Sequence, residues 1–148
     1  MTIRRLTADD LPLMDGLLDV FGEAFGEPET YGGARPPADY QRRLLDDPAF
    51  AALVALEDGK VVGGLAAYEL QKFEQARSEF YIYDLAVAAD HRRRGIATAL
   101  LEQLKQIAAI RGAYVVFVQA DRDDAPAIAL YSKLGTREDV LHFDIGVL

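Results

Sequence analysis

The chain is predicted to adopt a mixed α/β fold with at least one parallel crossover, and three features carry that expectation. Three strand-like runs, FAALVALE, KVVGGLAAYEL and SEFYIYDLAV, follow one another between residues 50 and 87, the first two separated by Asp58-Gly59, a strong hairpin signal. A long amphipathic stretch from Ile96 then stands between two apolar strands, 79–87 and 113–119, the arrangement of a strand–helix–strand crossover. Elements alternate along the whole chain with no repeat and no low-complexity tract, so 148 residues are read as one domain, 1–148, long enough for a single core.

Taken in order, TIRRL reads as a short first strand. Thr7 is placed as the N-cap of a helix running to about Ala24, with Asp10 three residues on and Pro12 in the first turn. Met14, Leu17, Leu18 and Phe21 recur at helical spacing along it. GEPETYGGARPP, residues 26–37, reads as loop because of its Gly and Pro content. ADYQRRLLDD is a second short helix stopped before Pro48. In the long helix, Ala97, Leu100, Leu101, Leu104, Ile107 and Ala108 share a face, and Gly112 marks the end. AYVVFVQ is almost continuously apolar, as in a strand covered on both sides. PAIALYSKLG is a last helix closed by Gly135, and VLHFDIGVL a last strand, giving the order β α α β β β α β α β.

Composition narrows the function. The formal charge of −8 argues against a nucleic-acid partner, which would need a broad basic surface. A cationic ligand suits it better, though the charge also serves solubility. With no cysteine, disulfides, thiolate metal sites and cysteine nucleophiles are excluded. The start, MTIRRLTADDL, has no apolar run behind its arginines, and no later run reaches membrane-spanning length. A cytoplasmic protein without a membrane partner is expected.

Against that acidic background, DLAVAADHRRRGIATALL sets Arg92, Arg93 and Arg94 where a strand passes into a helix. The first amides of a helix lack internal partners and carry the positive end of its dipole. With Gly95 and Ala97 small enough for close backbone approach, the turn reads as an anion site. Its spacing is neither the dinucleotide fingerprint nor the nucleotide phosphate loop, so a nucleoside triphosphate is disfavoured. A basic helix start on the surface is the plainer alternative.

The pattern Arg92-x-x-Gly95-x-Ala97, followed some thirty residues later by A-x-x-L-Y-x-K-x-G, resembles the central motif of the GNAT superfamily of N-acetyltransferases. The strings FGEAFGEPETY, AAYELQKFEQARSEFYIYDLAVAADHRRRGIATALL, GAYVVFVQADRDDAPAIALYSKLGTRE and HFDI are similar to the aminoglycoside 3-N-acetyltransferases of the first type and together touch nearly the whole chain. The resemblance implies a mostly antiparallel sheet with a central, splayed parallel strand pair and helices on both faces. It implies acetyl-CoA as cosubstrate, with no metal, and a small polycationic amine as acceptor, attacked directly in a ternary complex, at the 3-amino group of a deoxystreptamine ring. It also implies antibiotic resistance, and a homodimer is common among such proteins. Mapped here, Arg92, Arg93, Arg94, Gly95, Ile96, Ala97 and Thr98 would hold the diphosphate. Leu85, Ala86 and Val87 would hold the pantetheine arm and thioester through backbone groups, an N–H near Leu85 facing the carbonyl oxygen.

Acetyl transfer to an amine needs a neutral amine, a donor to the carbonyl oxygen and a proton for the thiolate. Tyr131, in ALYSKLG, matches the tyrosine that the family places beside the sulfur, against the alternative of a ring packed on the helix's inner face. A phenol of pKa ~10 protonates a thiolate whose thiol has a pKa of roughly 8.5 only with help, but it donates a hydrogen bond without it. Asp84 stands in an apolar and aromatic run at the strand's working end, where an unpaired charge is costly. It is the candidate for orienting the substrate ammonium and taking its proton, unless a neighbouring Arg satisfies it. Glu79, Asp144 and Asp121 are further candidates for binding a polycation, ahead of Asp123, Glu27 and Glu29. Asp124 stands where the family often has Asn, keeping an acceptor but losing the amide donor. His91 and His142 are read as structural before catalytic. Two other functions stay open: acetylation of another amine, such as a polyamine or a protein amine, and a CoA-binding module without turnover.

Overall fold

A computed structural model describes all residues from Met1 to Leu148. The chain forms two compact units, residues 1–118 and 119–148. In the first, β1 (Thr2–Arg5), β2 (Phe50–Glu57), β3 (Lys60–Gln71), β4 (Ser78–Val87) and β5 (Ala113–Val118) make one sheet in the order β1-β2-β3-β4-β5. The first four are antiparallel neighbours, while β4 and β5 run parallel. Such a parallel pair needs a crossover, and α4 (Ile96–Ile110) supplies it. The Asp58-Gly59 hairpin forms as expected, with positive φ at both residues (51° and 76°).

Helices cover both faces. Against one lies α1 (Leu11–Ala24), whose Met14, Leu17, Val20 and Phe21 pack with Phe50, Ala52, Val54 and Ala86 and with Leu45 of α3 (Ala38–Asp46). Against the other lies α4, burying Ile96, Leu100, Leu101, Leu104 and Ala108. Gly64 shows how closely α1 approaches: a Cβ there would overlap Leu17 Cδ1 and sit 2.5 Å from the Leu53 carbonyl. The far end of α4 is tied down by Arg111, whose Nε and Nη2 donate to Glu69 Oε1 at 2.9 and 2.6 Å. Ser78 Oγ donates to the other oxygen of the same buried carboxylate at 2.7 Å.

Several expectations need correction. The first helix is not capped by Thr7; it begins at Leu11, after Asp10. A helix capped at Thr7 would put Pro12 where an amide must bond four residues back, whereas in the observed first turn no such bond is needed. Thr7 instead donates its N–H and hydroxyl to Asp10 Oδ2 at 2.8 and 3.2 Å, and Arg4 holds Oδ1 at 2.6 Å. The segment read as loop contains α2 (Pro28–Gly32), one short turn opened by its proline. β5 is not covered on both sides: Tyr114 and Val115 are exposed, because it is the last strand of the sheet. For the same reason the parallel pair lies at the sheet's edge and not at its centre.

The second unit contains α5 (Ala125–Leu134). Asp124 accepts a hydrogen bond from the Ala127 amide at 3.2 Å, and the Gly135 N–H closes the helix on the Tyr131 carbonyl at 2.9 Å. The last strand expected from VLHFDIGVL does not form; residues 136–148 carry no regular structure and Val140, Leu141, Phe143 and Ile145 are exposed. Alternating apolar residues describe a fit to a pleated, half-covered surface, and here the segment has no ladder partner. No helix is long and apolar enough to cross a membrane.

Two substitutions check this packing. Gly64→Ala is expected to cost about 2 kcal/mol, because one of the clashing atoms is backbone and cannot turn away. Arg111→Leu is expected to cost about 3 kcal/mol by leaving Glu69 buried without its cation, both read from urea denaturation midpoints.

Candidate functional site

β4 pairs with β3 along its length but with β5 only from Ser78 to Ile82. From Tyr83 to Val87 the strand therefore has no ladder on its β5 side. The Ala88 N–H bonds the Val62 carbonyl of β3 at 2.8 Å. Successive amides of a strand point to alternate sides, so those of Val87 and Leu85 point away from β3, into the gap. The splay places backbone donors at two of the three positions singled out in the sequence, Leu85, Ala86 and Val87.

The register also slips within β4. Asp84 lies opposite Ala66, and Ile82 opposite Ala67, which leaves Tyr83 as the extra residue of a β-bulge. Residues two apart in a strand normally share a face. Here Ile82 and Asp84 face opposite ways, because their partners Ala67 and Ala66 do. Ile82 goes into the core, 1% exposed. Asp84 goes to the α1 side, with Ala66 and Ala86, which pack in the α1 cluster.

On that side its neighbours are aromatic. Tyr31 of α2 donates its hydroxyl to Asp84 Oδ2 at 2.8 Å, and its ring packs on Phe21 and Phe25, centroids 5.8 Å away in each case. Tyr83 stands edge-on to Tyr68 and Tyr81 at 6.0 Å, and Tyr81 stacks on Phe117 at 4.8 Å. Burial pushes the Asp84 carboxyl above its ordinary pKa; the Tyr31 hydrogen bond opposes this and the charge of Glu27 adds to it. Burial, then the contact with Asp84, drives the Tyr31 phenol upward, so it stays a donor. The alternative of an Arg salt bridge is not what the structure shows, since Asp84 makes no ion pair. A carboxylate without a cation, among ring faces and edges, suits an incoming ammonium.

Just beyond this end of β4, the chain makes a 3₁₀ turn at Ala89–His91, passes Arg93 at φ 64° and enters α4 through Gly95 at φ 78°. A position at that φ favours glycine, and open space surrounds its missing Cβ. The Ala99 amide makes the helix's first bond, to the Gly95 carbonyl at 3.0 Å; those of Ile96, Ala97 and Thr98 precede it. No acidic residue and no side-chain cap occupies this first turn. The three arginines differ. Arg92 Nε donates to the Val87 carbonyl at 3.2 Å, and Arg94 pairs with Glu57 at 3.6 Å. His91 Nε2 meets the same Glu57 oxygen at 3.2 Å. Arg93 makes no ion pair, so its charge is uncommitted. The donors, the dipole and this cation converge on one turn, an arrangement chemically suited to an anion.

Tyr131 lies in α5 of the second unit. Burial, and then the charge of Asp124, pushes its phenol up to about 12. Of the other predicted acids, Glu79 does not stand beside Asp84, and Asp121 and Asp144 belong to the second unit. Glu79 is engaged by Lys72 at 2.9 Å and by the Tyr114 hydroxyl at 2.8 Å; the Lys72 hydrogen bond, first, holds its carboxyl below the usual range. It stands five residues along β4 from Asp84, roughly 16 Å at the strand's rise. Asp144 is exposed and pairs with His142 at 2.8 Å, outside any strand. Asp121 is exposed, its carbonyl accepting the Asp124 amide at 3.0 Å. No group of three or more His, Asp or Glu is placed to hold a metal.

Two residues of this arrangement escaped the sequence reading. Tyr31 lay in a segment read as loop, although Pro28 with Glu29 behind it is a helix-start signal. Glu57 ends β2, and only the strand pairing shows that it stands beside the arginine turn.

Residues 14–136 match the family model described as the acetyltransferase (GNAT) family. Among solved structures, an aminoglycoside acetyltransferase from an uncultured soil metagenomic sample is 64% identical, with a TM-score of 0.97 over 99% of this chain and 98% of that one. A second aminoglycoside acetyltransferase from such a sample, in complex with sisomicin, is 33% identical with a TM-score of 0.90 over 99% of this chain and 96% of that one. The mycothiol acetyltransferase of Clavibacter michiganensis subsp. michiganensis is 31% identical over 142 residues, 93% of this chain and 43% of that protein. The chain spans less than half the length of the first curated relatives it matches. A family model that matches most of the chain, together with a 64% identical acetyltransferase of the same fold, shows that the chain belongs to the GNAT family of acetyltransferases.

Proposed function

We propose that this protein transfers the acetyl group of acetyl-CoA to an amine of an aminoglycoside, at the 3-amino position of the deoxystreptamine ring, and so confers resistance to such antibiotics. The observation that carries the reading is Asp84: a partly buried carboxylate with no cation of its own, hydrogen-bonded by Tyr31 and flanked by tyrosines. Support comes from the 64% identical aminoglycoside acetyltransferase and from the sisomicin complex of a further relative.

The residues fit the cosubstrate. Unpartnered amides at Ile96, Ala97 and Thr98, the open space beside Gly95 and the uncommitted Arg93 suit a diphosphate. Acetyl-CoA, when bound, supplies the acetyl group as an activated thioester. Asp84 orients the acceptor's ammonium and takes its proton, and a carboxyl pKa raised by burial makes it a better base than an ordinary aspartate. The Leu85 amide is the donor for charge that develops on the carbonyl oxygen. Tyr131 keeps its proton at any physiological pH and so acts as a hydrogen-bond donor to the leaving sulfur. None of these roles requires a covalent enzyme intermediate.

Free-thiol release from acetyl-CoA in the presence of sisomicin or gentamicin is the direct assay. Turnover of polyamines with none of aminoglycosides would replace this reading by the acetylation of another amine, and CoA binding without any turnover would leave a binding module. Asp84→Asn is expected to lower kcat about a hundredfold, the lower range for a general base, and Tyr131→Phe to lower kcat more than it changes acceptor KM.

A pH series of kcat/KM for the acceptor carries a signed expectation, because that ratio reports ionisations of the free protein. Asp84 works deprotonated, so kcat/KM falls as pH drops through its ionisation, which burial moves upward from the ordinary carboxylate value. Asp84→Asn lacks that limb.

A further inference from the structure

Tyr31 is held from several directions. Its ring lies against Phe21 and Phe25 of the α1 end, and its Cβ lies 3.4 Å from where a Gly22 Cβ would stand. Its N–H bonds the Glu27 carbonyl at 3.3 Å, and its own carbonyl accepts from Arg35 Nε at 3.0 Å. Arg35 is itself anchored to α1 by Asp19 and, at 3.8 Å, by Asp15. A hydroxyl fixed this firmly does not follow the carboxylate; the carboxylate is held by it. Asp84 Oδ2 takes that hydrogen bond at 2.8 Å, and Oδ1 makes neither a hydrogen bond nor an ion pair.

We propose that Tyr31 is a positioning residue for Asp84: its hydroxyl stops rotation of the carboxylate and presents Oδ1 alone to the acceptor amine. This rests on the reading of Asp84 as the proton acceptor. The direction of the Asp84 shift agrees, since the Tyr31 bond stabilises the charged form against the cost of burial. The other titratable groups facing Asp84 are Glu27 before α2, Tyr68 on β3, and Tyr81 and Tyr83 on β4. None of them donates a hydrogen bond to the carboxylate, so Tyr31 alone stabilises its charge in that way.

Tyr31→Phe removes the hydroxyl and keeps the ring. In it kcat is expected to fall about tenfold, within the hundredfold that an ångström of misplacement can cost, with acceptor KM changed less than threefold. The low-pH limb of kcat/KM moves to higher pH, as does the midpoint of the Asp84 carboxyl-carbon titration followed by NMR in the free protein. Phe25→Leu, which disturbs the ring packing but spares the hydroxyl, leaves that midpoint in place. An unmoved limb and midpoint in Tyr31→Phe, with Asp84→Asn inactive, overturns the role of Tyr31 and leaves Asp84 standing. Wild-type turnover in Asp84→Asn overturns the base itself, and this proposal with it.

Discussion

The slip of register at Tyr83 is the constraint on which the site depends. A regular β4 would send Asp84 the same way as Phe80 and Ile82, which are 0% and 1% exposed. A carboxylate among them would carry a desolvation cost of several kcal/mol with nothing to offset it. One extra residue reverses the alternation. The apolar residues before it keep the α4 face filled, and the carboxylate after it comes out toward α1 and α2, where a phenol is waiting. The same strand loses β5 beyond Ile82, so the bulge and the splay fall together. A single stretch of five residues thus delivers an acid on one side and free amides along its edge.

Packing around that stretch explains why it holds its shape. Gly64 lets Leu17 press onto the sheet opposite Ala86, and Glu69, bonded by Ser78 and Arg111, fastens β3, β4 and the end of α4 at the other side. α4 therefore serves two purposes. Its buried face completes the core, and its first turn, free of acids and caps, faces the arginines. An anion bound there would be held by an element already anchored along its length, so little rearrangement accompanies binding.

Much of this was legible in the sequence, and the rest failed for identifiable reasons. Strand runs, the Asp-Gly hairpin and the apolar stripe of α4 are local patterns, and the structure places these elements where they were expected, with Leu100, Leu101, Leu104 and Ala108 of the stripe buried. Asp84 stood out because charge is conspicuous within an aromatic strand, and the arginine turn because it follows one. The bulge could not be read, since whether Tyr83 is paired or extra depends on β3, not on its own neighbours. Glu79 looked as free as Asp84 until Lys72 and Tyr114, brought in by the turn and by β5, were seen to occupy it. The segment from Val140 to Leu148 has the alternation of a strand and lacks a partner, which no local pattern reports.

Glu57 has a consequence of another kind. One carboxylate holds both His91 and Arg94, three positions apart, from a different strand, and between them Arg93 sits in a backbone region that resists most side chains. The hairpin that carries Glu57 is thereby tied to the anion turn across a long stretch of chain. A change of sign at position 57 would be tolerated best alongside a matching change at 94, and the pair should appear as linked columns in any deep collection of close relatives.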